Sequence, residues 1–107
     1  MQIAHRDLKP DNVLYEKQNK RDPGYDVNKF NIKLTDFGFS TFYQTDRTTT
    51  KYGLGSQRYM APELWGSQRH SYKVDIWALG VMTYFMLAGH HVWNANGREE
   101  LELMVKN

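Results

Sequence analysis

Two short apolar runs lie near the start of the chain, Val13-Leu14-Tyr15 and Ile32-Lys33-Leu34, each flanked by polar residues. Short runs rich in Val, Ile and Tyr predict strands. Between them, Glu16–Asn31 holds Asn, Asp, Pro23-Gly24 and several lysines, which is the composition of an exposed loop. The pattern therefore predicts a β-hairpin with an unusually long connection. Phe39–Gly55 is rich in Thr and has no apolar period, so an extended segment is expected there. Pro62-Glu63-Leu64-Trp65 predicts a short helix with Pro in its first turn. The longest apolar stretch, Ile76–Gly89, is fourteen residues and is apolar on nearly every face. It predicts a helix opened by Asp75, closed by Gly89 and buried all round. Near the end, Asn96 and Glu99 have capping-box spacing, and Leu101, Met104 and Val105 share one face of a further helix. The fold class expected from this pattern is mainly α with a short β-hairpin.

Composition narrows the classes. A chain of 107 residues holds at most one small domain, with a thin core. Aromatic residues at 14% argue against disorder. A net charge of +2 with 24% charged residues is too balanced to imply nucleic acid or anionic lipid as a partner. Without cysteine, disulfides and thiolate chemistry are excluded. The apolar stretch is short for a membrane span, and the N-terminus reaches Arg6 and Asp7 before any apolar run. An intracellular, cytoplasmic location is the expectation. His90-His91 has no further ligand type close by in sequence and is read as a surface turn rather than a metal site.

Three motifs carry chemistry, in this order: His5-Arg6-Asp7-Leu8-Lys9-Pro10-Asp11-Asn12, Asp36-Phe37-Gly38 and Ala61-Pro62-Glu63. A carboxylate, an ammonium and an amide oxygen within six residues make little sense as a solvated turn. They suit phosphoryl transfer, which needs a base near the attacking hydroxyl, a cation near phosphate oxygens and hard oxygens for a metal. Together the motifs resemble those of the eukaryotic protein kinase catalytic domain, and the resemblance runs almost end to end. Leu8-Lys9-Pro10 and the stretch Gly55–Glu63 resemble the serine/threonine branch.

The resemblance implies roles residue by residue. Asp7 is catalytic and accepts or orients the hydroxyl proton, and Lys9 reaches the transferring phosphate. Asn12 and Asp36 hold Mg²⁺, and with Lys9 they belong to the ATP site. Gly38 lets the chain turn away from Asp36. Leu14 is either an ordinary strand core residue or the floor beneath adenine. Phe37 is a core residue as well as a packing switch, with His5 beneath it. Arg6 marks control by phosphorylation of the activation segment, where Thr48, Thr49, Thr50 and Tyr52 are the acceptors on offer. A threonine run is also an ordinary polar loop, and Tyr52 departs from most serine/threonine kinases. Ser56 matches a hydroxyl residue that bridges the catalytic Asp and Lys. Asp75 is either a helix cap or the carboxylate that holds the catalytic-loop backbone. Glu63 ordinarily pairs with an arginine expected beyond Asn107.

The implied organisation is a partial kinase domain over 1–107. It has a catalytic loop at 5–12, a metal motif at 36–38, an activation segment at 36–63 and a central buried helix at about 75–88. This corresponds to part of the large, C-terminal lobe of the α+β kinase fold, with the small lobe absent. The implied reaction is Mg²⁺-dependent transfer of the ATP γ-phosphate to a protein Ser or Thr hydroxyl, with the isolated chain inactive. The alternative is a non-catalytic, kinase-derived interaction module or inactive gene fragment. The Glu16–Asn31 loop is longer than the family norm.

Overall fold

The computed structural model describes residues 2–26, 28–43, 48–49, 56–66 and 69–107. Strand β1 (Gln2–Ala4) is followed by a 3-10 turn at Pro10–Asn12 and strands β2 (Val13–Glu16) and β3 (Asn31–Leu34). Strands β4 (Thr41–Tyr43), β5 (Thr48–Thr49) and β6 (Arg69–His70) come next, with 3-10 turns at Gln57–Tyr59 and Pro62–Trp65 between the last two. Helices α1 (Lys73–Ala88) and α2 (Arg98–Lys106) complete the chain.

The hairpin forms where the apolar runs predict it, with Val13 opposite Leu34 and Tyr15 opposite Ile32. Side chains alternate across a strand, so these four share one face. Leu14 and Glu16 lie on the other, where Glu16 meets Lys33 at 3.6 Å and accepts a hydrogen bond from Asn31 at 3.3 Å. The long connection is tied by local turns: the Asp22 N–H donates to the Asn19 carbonyl, and the Asn28 N–H to the Asp26 carboxylate.

Two further antiparallel pairs, β1 with β4 and β5 with β6, were not anticipated. The described architecture is therefore mixed, and the expectation of a mainly α chain with one hairpin is too narrow. Pairing of Ala4 with Thr41 brings both ends of the 5–40 stretch together.

The core gathers Met60, Ala61, Leu64 and Trp65 with Val74 of α1 and Leu101 and Val105 of α2. Trp77 and Trp93 stack against it, 6.0 Å apart and 7° from parallel. Helix α1 begins two residues before Asp75 and ends at Gly89, whose φ of 74° allows its N–H to reach the Phe85 carbonyl. The expectation that α1 is buried all round is overturned. Val74, Ala78, Val81 and Met82 are buried, but Ile76, Met86 and Leu87 are 64%, 65% and 85% exposed. The elements of this chain cover one side of the helix, and an all-apolar sequence does not show which side that is. The radius of gyration, 16.3 Å, exceeds the roughly 13 Å of a compact domain this long, in keeping with uncovered faces.

The cap of α2 is shifted by one residue from the expected box. Gly97 occupies the N-cap position, and the Glu100 carboxylate, not Glu99, accepts from the Asn96 N–H at 2.8 Å. Met104 lies at the margin of the buried face and is 39% exposed. Among the described residues, no helix is long and apolar enough to cross a membrane.

Candidate active site

The loop between β1 and β2 carries Asp7, which is buried to 5% exposure. Its Oδ1 accepts the Ser56 N–H at 2.7 Å, and its Oδ2 accepts from Asn12 Nδ2 at 3.3 Å. Lys9 Nζ lies 3.8 Å from the same Oδ2. Asn12 Nδ2 also donates to the Asp7 carbonyl at 2.8 Å, which leaves its Oδ1 as the free end of the amide for a cation. Pro10 opens the 3-10 turn that sets Asn12 back toward Asp7.

The loop backbone is held from two sides. Both oxygens of Asp75 accept main-chain N–H groups, from His5 at 2.7 Å and from Arg6 at 2.9 Å. Arg6 has a φ of 65°, a region that a non-glycine residue occupies only when its surroundings impose it. On the other side, His5 Nε2 donates to the Thr35 carbonyl at 2.9 Å while Nδ1 accepts the Asp7 N–H at 3.3 Å. A carbonyl only accepts and an amide N–H only donates, so these two bonds define a neutral imidazole with its proton on Nε2.

The Asp36 segment is tied to the same loop. The Thr35 N–H donates to the Asn12 carbonyl at 3.0 Å, and Phe37 packs edge-on against His5 at 4.8 Å. Asp36 also has a left-handed backbone, φ 60°, and its Oδ1 accepts the Gly38 N–H at 3.3 Å. A Cβ at Gly38 would stand 3.2 Å from that oxygen, so any side chain there pushes on the carboxylate. Asn12 and Asp36 are hard oxygen donors on adjoining segments. Two such donors suit Mg²⁺, which keeps several of its sites for water and phosphate. Among the described residues there is no cluster of three or more His, Cys, Asp or Glu able to hold a metal alone.

A sequence model of the protein kinase domain matches residues 1–107. The chain belongs to the protein kinase family. Over 89 residues, or 82% of this chain, it is 40% identical to the calcium/calmodulin-dependent protein kinase type I of Schizosaccharomyces pombe, covering 24% of that protein. It is 36% identical to the serine/threonine-protein kinase ULK1 of Homo sapiens over 101 residues, 94% of this chain and 9% of that protein. Identity to the cAMP-dependent protein kinase catalytic subunit of Dictyostelium discoideum is 42% over 88 residues, 82% of this chain and 11% of that protein. The chain thus spans less than a quarter of the length of these serine/threonine kinases and kindred transferases.

Within this kinase chain, the remaining candidates are not all gathered at the Asp7 site. Leu14 is 51% exposed on the Lys33 side of the hairpin. The contact between Ser56 and Asp7 runs through the main-chain N–H rather than the hydroxyl. The Arg6 guanidinium donates from Nε to the Phe39 carbonyl at 2.5 Å, which joins the loop to the segment after Gly38. Glu63 sits on the rim of an apolar groove of about 710 Å³ along α1, lined by Ile76, Trp77, Val81 and Trp93. No hydrogen bond or ion pair of its carboxylate is found among the described residues. Thr48 and Thr49 enter through their backbone in β5, and Thr50 and Tyr52 lie outside the described residues.

One feature escapes sequence reasoning altogether. A second groove of about 500 Å³ opens beside Lys9, between Asp11, Arg58, Tyr59, Asn96 and Leu101. Its walls come from three stretches far apart in the chain, which leave no local signal. Arg58 is fixed there by a bond from Nη1 to the Trp93 carbonyl at 3.1 Å. Burial, the Asp11 carboxylate and, in opposition, the Arg58 guanidinium act on Tyr59, and together they raise its phenol above the ordinary tyrosine range.

Proposed function

We propose that this chain carries the catalytic loop of a serine/threonine protein kinase, and that the domain containing it transfers the γ-phosphate of ATP to a protein Ser or Thr hydroxyl. The observation that carries the reading is the Asp7 carboxylate, held on both oxygens by Ser56 and Asn12 with the Lys9 ammonium 3.8 Å away. A carboxylate so fixed can accept or orient the proton of an incoming hydroxyl without reorganising. Lys9 is placed to stabilise charge on a phosphate that approaches the same hydroxyl. Asn12 Oδ1 and the Asp36 carboxylate would hold Mg²⁺. When bound, Mg·ATP supplies the phosphoryl group and neutralises its developing charge. The groove of about 500 Å³ beside Lys9 and Ser56 is the place this reading gives to the substrate polypeptide.

The test is transfer of labelled phosphate from Mg·ATP to a serine- or threonine-containing peptide by the domain that includes this chain, with Asp7→Asn as control. Loss of transfer with retained folding supports the reading, and equal rates remove Asp7 from the mechanism. The sequence of residues 1–107 contains no glycine-rich phosphate loop. Turnover by this chain alone is therefore expected to be low.

A second reading, a kinase-derived interaction module, draws on the apolar face of α1 that this chain leaves exposed. A chain of 107 residues that binds a partner tightly, with transfer absent even in the larger domain, would favour it.

A further inference from the structure

The groove beside Lys9 carries charge of both signs. Lys9, Arg58 and Arg98 line it against one carboxylate, Asp11, with the buried Leu101 as apolar lining. Among these groups Arg58 differs in its surroundings. Asp11 and Arg98 are exposed, where water screens them, and Lys9 lies 3.8 Å from the Asp7 carboxylate. Arg58 is half-buried, and its Nη1 donates to the Trp93 carbonyl at 3.1 Å. A carbonyl aims the guanidinium but does not neutralise it, and none of the described ion pairs includes Arg58. A partly desolvated cation without a counter-charge gains most when an anion arrives. We infer that Arg58 selects an acidic substrate, a polypeptide carrying Asp or Glu within about three residues of the acceptor hydroxyl. This names the substrate class for the groove, and it rests on the reading of that groove as the substrate's place beside Asp7.

The spacing follows from the chain. The Ser56 N–H is bonded to the Asp7 carboxylate, and Arg58 stands two positions on in a 3-10 turn closed by the Tyr59 N–H on the Ser56 carbonyl at 2.9 Å. Two residues span at most about 7 Å, and less when wound into a turn, so an extended peptide covers that distance and the length of an arginine side chain in about three residues. The guanidinium fork meets both oxygens of a carboxylate, which an ammonium does only as a point charge. Asp11 is the opposing group and would favour a basic peptide. It is exposed in the turn that follows Lys9, so its pull is screened, and the cations outnumber it along the walls.

The experiment measures binding of labelled peptides to the domain that includes this chain, by fluorescence anisotropy. The peptides carry Ala at the acceptor position, so binding is read without transfer, and Asp, Ala or Lys on either side of it within that reach. The Asp peptide should bind about fivefold tighter than the Ala peptide, and the gain should shrink at high salt. Arg58→Gln, which keeps a donor but removes the charge, should bring the two together. Arg58→Lys should retain part of the difference, and Asp11→Asn should widen it. Equal binding of the Asp and Ala peptides by the parent domain, tighter binding of the Lys peptide, or a preference that survives Arg58→Gln overturns the assignment. The first two need no variant, so a folding defect cannot mask them. Transfer to the matching serine peptides is read separately. Its absence beside a retained, Arg58-dependent preference for Asp would sink the kinase reading and leave the acidic preference of the groove standing.

Discussion

Asp75 and Arg6 are 69 residues apart, yet the Asp75 carboxylate accepts the Arg6 N–H at 2.9 Å and holds it in a left-handed conformation. The neighbouring His5 N–H takes the other oxygen at 2.7 Å. An acidic residue in the first turn of a helix ordinarily serves its own helix. Here it reaches outside and fixes the turn from which Asp7 projects. The first turn of α1 thereby becomes the base on which the loop around Asp7 rests.

Removing that base should be costly. Asp75→Ala leaves two main-chain donors without their acceptor and a strained Arg6 without its restraint. We expect a loss of about 3 kcal/mol, at about 1.5 per charge-assisted bond. Asp75→Asn keeps one acceptor oxygen and should lose roughly half of this. Urea denaturation of the three chains checks it, and a loss below about 0.5 kcal/mol for the alanine variant would mean that the loop holds itself.

Asp7→Asn should separate chemistry from folding. Asn retains an oxygen for the Ser56 N–H but sets its NH2 against Asn12 Nδ2, so stability should fall by only about 1 kcal/mol. It cannot take up a proton, so peptide phosphorylation by the containing domain should fall by about 10²–10⁴-fold. Peptide-transfer rates and melting curves, measured together, check both halves.

Asp36→Ala and Asn12→Ala should both weaken Mg²⁺-dependent nucleotide binding, but only the second should also destabilise. Asn12 is buried and bridges to Asp7, and its loss should cost about 1–2 kcal/mol. Gly38→Ala should mimic Asp36→Ala in part, because the new methyl crowds the carboxylate. Calorimetric titration of Mg·ATP onto the containing domain, beside thermal melts, distinguishes these outcomes.

The exposed stripe of α1, Ile76, Leu79, Met86 and Leu87, should drive association of the isolated chain. Sedimentation of residues 1–107 should show species larger than a monomer. Leu79→Lys with Leu87→Glu should shift them toward monomer with little change in melting temperature, since Leu87 is 85% exposed and Leu79 about half exposed. A monomeric parent chain would count against the stripe as the cause.

Tyr59 provides a pH dependence in alkali. Its phenol is raised in the folded chain, first by burial and then by Asp11. The unfolded chain therefore gives up this proton first, from about pH 10, and from there stability falls as pH rises. The contribution is complete below pH 10 and lost through the folded value. Tyr59→Phe should remove that part of the alkaline slope, read as melting temperature against pH from about 8 to about 11.5, a window on both sides of the ordinary phenol value.

Local order was legible in the sequence because it depends on spacing within a few residues. The apolar runs around Leu14 and Lys33 mark the hairpin, Gly89 marks the end of α1, and the three motifs mark the family. The choice of cap at α2 was less legible, since Glu99 and Glu100 are adjacent and chemically equal, and the approach of the chain through Asn96 selects between them. Only the tertiary structure decided how the loop around Asp7 is supported in this chain. In each supporting bond one partner is a main-chain group: the N–H of His5, Arg6 or Ser56, or the carbonyl of Thr35. Nearly every residue carries the same N–H and carbonyl, so nothing in the residue letters marks which of them will be used. The exposed side of α1 was hidden for a related reason. A helix apolar on all faces offers the same hydrophobic gain in every direction, and only the placement of its neighbours breaks that symmetry.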